Sequence, residues 1–353
     1  MQLTDFRTLG RSGLVVSPLA LGTMTFGTPR WGSSDEESAA IFRGYVEAGG
    51  NFIDTANVYA QGRSEELVGR YVAEGQLRDQ LVLATKSGFH SGQPGNPHGG
   101  GNGRKSIHQA LEASLRRLQT DYVDLYWLHV WDMVTPVEEV LQTLGDLVRA
   151  GKIRYFAFSD IPAWYATKAA TLAAAHGIPG PIALQLEYSL VERSIEHEYV
   201  PAARECGLGI TPWSPLAAGF LAGKYQRPTG PDTKARGEGR LAGPNPFQDS
   251  KFTERNWQIL AVLQAVAAEL DRPPAQVALA WALAQPGITS LILGASQLAQ
   301  LRTNLAALDL HLTPAHLQQL HEASAPAPTF PYSIFTPAVN KGVFGGASVQ
   351  GWR

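Results

Sequence analysis

The stretch Leu81-Val82-Leu83-Ala84-Thr85-Lys86 is a short, continuous apolar run that ends in a charged side chain. Similar runs end at Asp54, after Asn51-Phe52-Ile53, and at His129, after Val123-Asp124-Leu125-Tyr126-Trp127-Leu128. Continuous rather than alternating runs of this length are typical of parallel strands that helices cover on the outside. The pattern therefore favours an α/β fold.

Five further runs complete a set of eight that alternates with helical patterns. The first six or seven recur about every 30 residues, which is the length of one strand–helix unit. Eight such units predict a parallel sheet closed into a (β/α)8, or TIM, barrel. The five further runs lie near Leu19–Gly22, Ile153–Ser159, Ile182–Glu187, Leu208–Trp213 and Ser290–Gly294.

The two ends of the chain carry features outside this repeat. Phe6–Val16 has Gly10-Arg11-Ser12-Gly13 between two short runs, which predicts a β-hairpin that closes the barrel floor. We expect residues 1–353 to form a single barrel domain, with residues 325–353 as a C-terminal tail. That tail is rich in aromatic residues, so it either frays at the surface or helps to wall a substrate site.

Helix starts and long loops can also be located. Ser34-Asp35-Glu36-Glu37 is a capping box, and Ser64-Glu65-Glu66-Leu67 and Thr135–Glu139 begin in the same way, with acidic residues in the first turn. Two loops rich in glycine and proline, Ser87–Lys105 and Leu216–Lys251, interrupt the repeat. Loops on the C-terminal side of a barrel usually build the substrate site, so we expect both to contribute to one.

The composition argues against several classes of protein. The chain has 353 residues, of which 44% are hydrophobic and 17% charged, and no apolar run approaches the roughly 20 residues of a membrane helix. A net charge of −2 gives no electrostatic reason to expect nucleic acid or an anionic membrane as a partner. The single Cys206 and the absence of a signal-peptide pattern favour a cytoplasmic protein.

Two kinds of site are also disfavoured by the spacing of residues. His90, His98 and His108 are too irregularly spaced to indicate a metal site, and we expect none. No glycine-rich fingerprint follows a strand and opens a helix, which argues against a Rossmann-type dehydrogenase.

Four polar side chains stand at or just beyond the ends of predicted strands: Asp54, Tyr59, Lys86 and His129. Polar groups at the end of a buried run are costly unless they face one another, so converging strands bring these four into one pocket. We expect Lys86, oriented by Asp54, to lower the pKa of Tyr59 by about 1–3 units. Tyr59 can then protonate a carbonyl oxygen as a general acid, and His129 can hydrogen-bond that oxygen or share the proton.

This set resembles the catalytic tetrad of the aldo-keto reductases. The resemblance runs in the expected order from about Leu9 to about Leu320. It implies reversible reduction of an aldehyde or ketone to an alcohol, with hydride from NAD(P)H and a proton from Tyr59. Other stretches similar to family signatures are Phe52-Ile53-Asp54-Thr55-Ala56, Ala84-Thr85-Lys86, Asp121-Tyr122-Val123-Asp124-Leu125-Tyr126, Gly151-Lys152-Ile153-Arg154-Tyr155, Trp213-Ser214-Pro215-Leu216 and Gly223-Lys224-Tyr225.

The same resemblance implies where the cofactor binds. Ser159, Asp160 and Gln185 match positions that hold the nicotinamide carboxamide. Trp213 matches the aromatic residue that stacks on the nicotinamide ring, and a buried core tryptophan is the alternative. The pyrophosphate side matches Ser214, Leu216, Gly219, Leu221 and Lys224, and the adenosine side matches Gly294, Ser296, Gln300 and Asn304.

Two departures from the family pattern bear on the cofactor. The usual Ser-Asn is Ser159-Asp160 here, and an ionised aspartate can accept a hydrogen bond but cannot donate one. Many members place Arg or Lys near Ser296 or Gln300 to clamp the 2′-phosphate, and this chain does not. Arg240 matches a loop arginine that can serve instead, unless it is a solvated surface charge. NADP(H) is the preferred cofactor because the family mostly uses it, and NAD(H) is the alternative.

The substrate pocket and two competing functions complete the expectations. Trp31, Phe89 and Trp131 are candidate pocket walls and favour an apolar or aromatic carbonyl compound. A Schiff-base lyase or aldolase barrel using Lys86 is one alternative, but it needs a neutral amine, which Asp54 opposes. A cofactor-binding sensor or partner subunit, as in the channel β subunits that share this fold, is the other.

Overall fold

The computed structural model describes residues 1–227, 236–237, 240–241 and 248–349. Eight parallel strands form one sheet, in which the eighth strand precedes the first and the others follow in chain order. Helices lie between successive strands, so the predicted repeat of strand and helix is confirmed. The eight strands span Leu19–Gly22, Phe52–Asp54, Val82–Ser87, Val123–Leu128, Ile153–Ser159, Pro181–Gln185, Gly209–Ile210 and Leu291–Leu293.

Backbone hydrogen bonds close this sheet between its seventh and eighth strands. The Thr289 N–H donates to the Ile210 carbonyl at 2.8 Å, and the Ile292 N–H donates to the Pro212 carbonyl at 2.9 Å. On its other side the eighth strand pairs with the first, with Leu291 opposite Leu19. The (β/α)8 barrel predicted from the eight apolar runs is confirmed.

Helices surround the barrel. The first six span Asp35–Glu47, Arg63–Glu74, Arg104–Leu118, Val137–Arg149, Ala163–His176 and Ile195–Cys206. Those that follow the seventh strand span Gln248–Lys251, Glu254–Glu269, Pro274–Leu283, Leu298–Leu305, Pro314–Ser324 and Pro337–Val343. Among the residues that the structure describes, no helix combines the length and apolar character needed to cross a bilayer.

The predicted helix starts hold in part. The Ser34 hydroxyl accepts from the Glu37 N–H at 3.2 Å, as the capping box predicts. Ser64 does not cap its helix, which begins at Arg63. Its hydroxyl instead lies 2.8 Å from the Thr23 hydroxyl and 3.0 Å from that of Thr55, because buried hydroxyls need partners.

An N-terminal hairpin seals the floor, as predicted. Arg7–Thr8 pairs antiparallel with Val15–Val16. Leu9 and Val16 are fully buried against the residues that fill the barrel. Gly10 makes this close approach possible, because its φ is +61° and an added Cβ would lie 2.3 Å from the Ile182 carbonyl oxygen.

The long loop after the seventh strand and the C-terminal tail lie partly outside the described residues. In that loop, Tyr225–Gln226 pairs antiparallel with Arg236–Gly237. The described part of the tail, residues 325–349, is mostly exposed, and Tyr332 stacks on His197 at a ring distance of 5.1 Å. No described residue of this tail lines the large cavity discussed next, and the division into one barrel domain and a tail stays a prediction.

Candidate active site

The strand ends bring the four predicted polar side chains together. Asp54 ends the second strand, Lys86 lies near the end of the third, and His129 directly follows the fourth. Tyr59 opens a short 3-10 helix, Tyr59–Gly62, on the loop after the second strand. Because all the strands are parallel, these positions share the C-terminal mouth of the barrel.

Lys86 is the centre of this group. Its side chain is fully buried, and its ammonium donates to the Asp54 carboxylate, to the Thr55 carbonyl at 3.0 Å and to the Tyr59 hydroxyl at 3.1 Å. An ammonium has three donors, so every one of them is used. Lys86 therefore holds the phenol oxygen of Tyr59 in a fixed position.

Burial and charge act in opposite directions on these groups. Burial alone lowers the pKa of the Lys86 ammonium, but Asp54 and Tyr59 outweigh that effect and leave its pKa above the ordinary value. Burial raises the pKa of the Tyr59 phenol, and Lys86 offsets only part of the rise. The expected net lowering of the Tyr59 pKa is not found. Desolvation destabilises the phenolate by more than the Lys86 ammonium stabilises it, so the pKa rises.

His129 lies beside Tyr59 and is held as a neutral imidazole. The two rings are 5.7 Å apart and nearly perpendicular, and Phe89 packs on the other side at 4.8 Å. Burial, with a further contribution from Lys86, brings the pKa of His129 well below its usual value. A neutral imidazole can donate or accept a hydrogen bond at a carbonyl oxygen, which favours the first of its two expected roles.

A cavity of about 880 Å³ opens above the tetrad. Asp54, Tyr59 and His129 lie at one part of its wall, and Trp31 and Phe89 line it as predicted. Trp131 does not, because it packs against Trp164 and Tyr165 instead. The predicted cofactor residues along this wall are Ser159, Asp160, Gln185, Trp213, Ser214, Leu216, Gly219, Lys224, Arg240, Gly294, Ser296, Gln300 and Asn304.

Leu221 is the one predicted cofactor residue that is absent from the described wall. Its side chain is fully buried in the hydrophobic core, and its N–H donates to the Leu216 carbonyl at 3.2 Å. Leu221 therefore stabilises the turn Ala217–Ala222 from below rather than facing the cavity.

Two contacts join the predicted nicotinamide residues to one another and to the tetrad. The Gln185 side-chain amide donates to Asp54 Oδ1 at 3.0 Å, and the Trp213 indole N–H donates to Asp160 Oδ1 at 3.0 Å. Ser159 Oγ is buried and has no hydrogen-bond partner among the described residues. Trp213 is only half-buried, so it stands at the wall rather than in the core.

The other end of the cavity is built from neutral groups. Gln300 Oε1 accepts from the Ser296 N–H at 3.1 Å and lies 3.2 Å from the Ser296 hydroxyl. In the described wall the only Lys and Arg side chains are Lys224 and Arg240. The Arg240 guanidinium lies over the Trp31 ring, 5.3 Å from its centroid, and burial lowers the Arg240 pKa.

The first strand's contribution to this wall was not predicted from the sequence. Gly22, Met24, Thr25 and Thr28, at and after the end of the first strand, line the cavity. The first strand ends in apolar residues and glycine, so no polar side chain marked it. The rule that the C-terminal ends of all barrel strands meet at one face would have found it.

Comparison with known proteins agrees with this geometry. A sequence model of the aldo/keto reductase family matches residues 18–325. The chain belongs to the aldo/keto reductase family. Membership makes it an oxidoreductase, as the resemblance of the tetrad predicts.

Several relatives within this large family align over most of the chain. An uncharacterized oxidoreductase of Bacillus subtilis is 36% identical over 90% of this chain and 95% of its own length. An aryl-alcohol dehydrogenase of Pestalotiopsis microspora is 35% identical over 87% of this chain and 78% of its own length. A probable voltage-gated potassium channel subunit beta of Oryza sativa is 37% identical, over 87% and 92%.

Proposed function

We propose that this aldo/keto reductase reversibly reduces an aldehyde or ketone to an alcohol, with NAD(P)H bound in the 880 Å³ cavity. The observation that carries the proposal is the Tyr59 hydroxyl at the cavity wall, held at 3.1 Å by the fully buried ammonium of Lys86. A phenol so held can give its proton to a carbonyl oxygen as hydride reaches the carbonyl carbon.

The cavity wall suits a nicotinamide cofactor. Ser159 Oγ is a buried polar atom in need of a partner, which a carboxamide would supply. Trp213 offers an aromatic face, and Lys224 and Arg240 offer charges for phosphate. The bound cofactor supplies the hydride. We propose NADP(H) as the preferred form, supported by Arg240, and NAD(H) as its competitor.

Each member of the tetrad has a separate part in moving the proton. Tyr59 donates it and remains neutral until then, because burial keeps its pKa high. Lys86 stabilises the phenolate that is left, and Asp54 keeps Lys86 charged and oriented. His129, as a neutral imidazole, positions the carbonyl oxygen near Tyr59. In the oxidation direction, Tyr59 as phenolate takes the proton from the alcohol.

We propose an aromatic or otherwise apolar carbonyl compound as substrate. Met24, Trp31 and Phe89 line the cavity, and Phe89 stacks edge-on against His129 of the tetrad. Aromatic walls bind flat apolar groups well. The name of the Pestalotiopsis relative, an aryl-alcohol dehydrogenase, supports the same class.

The test has two parts, binding and turnover. Quenching of tryptophan fluorescence is first titrated with NADPH and with NADH, since Trp213 lies in the cavity wall. Oxidation of the bound cofactor by a simple aryl aldehyde, such as benzaldehyde, is then followed at 340 nm. Binding of neither cofactor by folded protein would overturn the proposal, and binding without turnover of any aldehyde would leave only a cofactor-binding function.

That cofactor-binding function is the second candidate, as a sensor or partner subunit. The likeness to a relative named as a channel subunit beta favours it. The Schiff-base alternative has less support, because Lys86 keeps a raised pKa and thus lacks the neutral amine that it needs. Borohydride trapping of substrate on Lys86 would revive that alternative.

A further inference from the structure

Asp160 is a carboxylate in an unusual place. It directly follows the fifth strand, has a φ of +47°, and lies in the cavity wall. One carboxyl oxygen, Oδ1, accepts from the Trp213 indole N–H at 3.0 Å. The other oxygen, Oδ2, has no hydrogen bond to any residue that the structure describes, and the residue is exposed at the cavity wall. Asp160 is therefore accessible to a ligand bound in the cavity.

The charged and titratable groups around Asp160 do not pair with it. Glu187, after the sixth strand, faces it as a like charge and is itself paired with Lys251 at 2.5 Å. Lys86 acts on it from the third strand but is committed to Asp54 and Tyr59. Tyr199, on the helix after the sixth strand, is also close enough for the charge of Asp160 to raise the pKa of its phenol. Although Asp160 is exposed at the cavity wall, the protein atoms around its carboxyl group partly desolvate it, and this desolvation together with Glu187 raises the pKa of Asp160 to about 6.

We propose that Asp160 holds the nicotinamide carboxamide as a neutral carboxylic acid, so that cofactor binding takes up a proton at this side chain. This inference rests on the proposed function. Covering an unpaired carboxylate removes its water and favours the protonated form. The acid then has one O–H donor as well as acceptor oxygens, whereas the carboxylate can only accept.

The neighbouring groups make a donor at this position useful. A carboxamide presents both a carbonyl oxygen and N–H groups. The Gln185 side-chain amide uses one of its two N–H donors on Asp54. The Trp213 N–H is already used on Asp160. A proton on Asp160 adds an O–H donor beside the Ser159 hydroxyl. This proton comes from solvent and is distinct from the proton that Tyr59 gives to the substrate.

Isothermal titration calorimetry of the full chain measures this proton directly. NADPH is titrated at pH 7.5 in phosphate, HEPES and Tris, and the slope of the observed enthalpy against buffer ionisation enthalpy gives the protons taken up. The 2′-phosphate of NADPH also titrates, so the informative quantity is the difference between wild type and Asp160→Asn. We expect the wild type to take up close to one proton more than the variant.

The pH dependence of affinity gives a second readout. Between pH 7 and 8 the Kd of wild type should rise by up to about tenfold more than that of Asp160→Asn. Asp79→Asn, at an exposed carboxylate far along the sequence from the cavity wall, serves as the control and should match wild type. Circular dichroism verifies that each variant is folded.

The outcomes separate the inference from the proposed function. Equal proton uptake and equal pH slopes in wild type and Asp160→Asn, with tight binding in both, would overturn the inference alone. If Asp160→Asn does not fold, the proton uptake of wild type is measured with NADH, which has no 2′-phosphate, from the slope of observed enthalpy against buffer ionisation enthalpy. An uptake near zero then overturns the inference, whereas failure of folded wild type to bind either cofactor overturns the proposed function itself.

Discussion

The two ends of the cavity are built on different physical principles. At the tetrad end, Lys86 is fully buried and uses all three of its donors on Asp54, Thr55 and Tyr59. At the other end, the contact between Ser296 and Gln300 joins neutral groups that are partly exposed. Removing a partner from a buried ion pair is costly, whereas exchanging neutral surface groups is not. Under the proposed function, substitutions at the tetrad end should therefore cost more than substitutions at the end proposed to discriminate between NADP(H) and NAD(H).

The largest effect is expected at the tetrad end, from Tyr59→Phe. Loss of the hydroxyl removes the general acid, so kcat for aldehyde reduction should fall by about 10² to 10⁴. The ring and its contact with His129 remain, so the Kd for NADPH should change little. Steady-state kinetics measures the change in kcat, and fluorescence titration measures the Kd for NADPH. Full activity in this variant would contradict the role of Tyr59 as general acid.

Lys86→Met should reduce both activity and stability. Asp54 is left as a buried, unpaired carboxylate, at a cost of about 3–5 kcal/mol in the free energy of unfolding. Asp54→Asn combined with Lys86→Met should recover much of that stability without recovering activity. Urea denaturation measures the change in the free energy of unfolding for both variants. Turnover by either variant close to wild type would contradict the role given to Lys86.

At the other end of the cavity, Gln300→Arg should shift cofactor preference toward NADPH by about tenfold, because a charged hydrogen bond to phosphate replaces a neutral contact. Arg240→Gln is the opposite change and should weaken NADPH binding more than NADH binding. The ratio of the two Kd values is the measurement. An unchanged ratio in both variants would place the 2′-phosphate elsewhere.

The substrate wall offers a matched pair of aromatic residues. Phe89→Ala removes a ring that lines the cavity against His129 and should raise the KM for an aryl aldehyde by about three- to tenfold. Trp131→Ala removes a ring that packs away from the cavity, on Trp164, and should change that KM by less than about twofold. The reverse order would mean that the substrate lies nearer the fourth strand's loop.

The smallest effect concerns pH. In the proposed mechanism, reduction needs a protonated Tyr59. The pKa of Tyr59 is raised above the ordinary value of about 10, so the protonated form persists through neutral pH. His129 stays neutral over the same range because its pKa is lowered well below 6.5. At saturating cofactor, kcat should therefore vary by less than about twofold from pH 7 to 8. A step centred near pH 6.5 to 7.5 would assign a titrating role to His129.

The same contrast explains what the sequence could and could not predict. Strand ends are local features, and polar residues there converge by topology, so Asp54, Lys86 and His129 were within reach of sequence reasoning. The bond between Gln185 and Asp54 joins strands far apart in the chain and needed the closed barrel. Leu221 shares a segment with cavity residues but faces the core, a difference set by the 3-10 turn.

Tertiary burial accounts for the remaining differences. The expected lowering of the Tyr59 pKa considered Lys86 alone, whereas desolvation depends on every element around the phenol. Ser64 had the sequence of a helix cap, but Thr23 and Thr55 lie close enough to bind its hydroxyl. Neither effect can be read from neighbours in the sequence.

The sealed floor has a consequence for traffic through the molecule. Leu9, Leu14 and Val16 block the N-terminal end of the barrel, and Gly10 lets the hairpin lie against the Ile182 backbone. The barrel interior is therefore closed at its N-terminal end, so a ligand in the cavity above the tetrad cannot leave through the barrel floor.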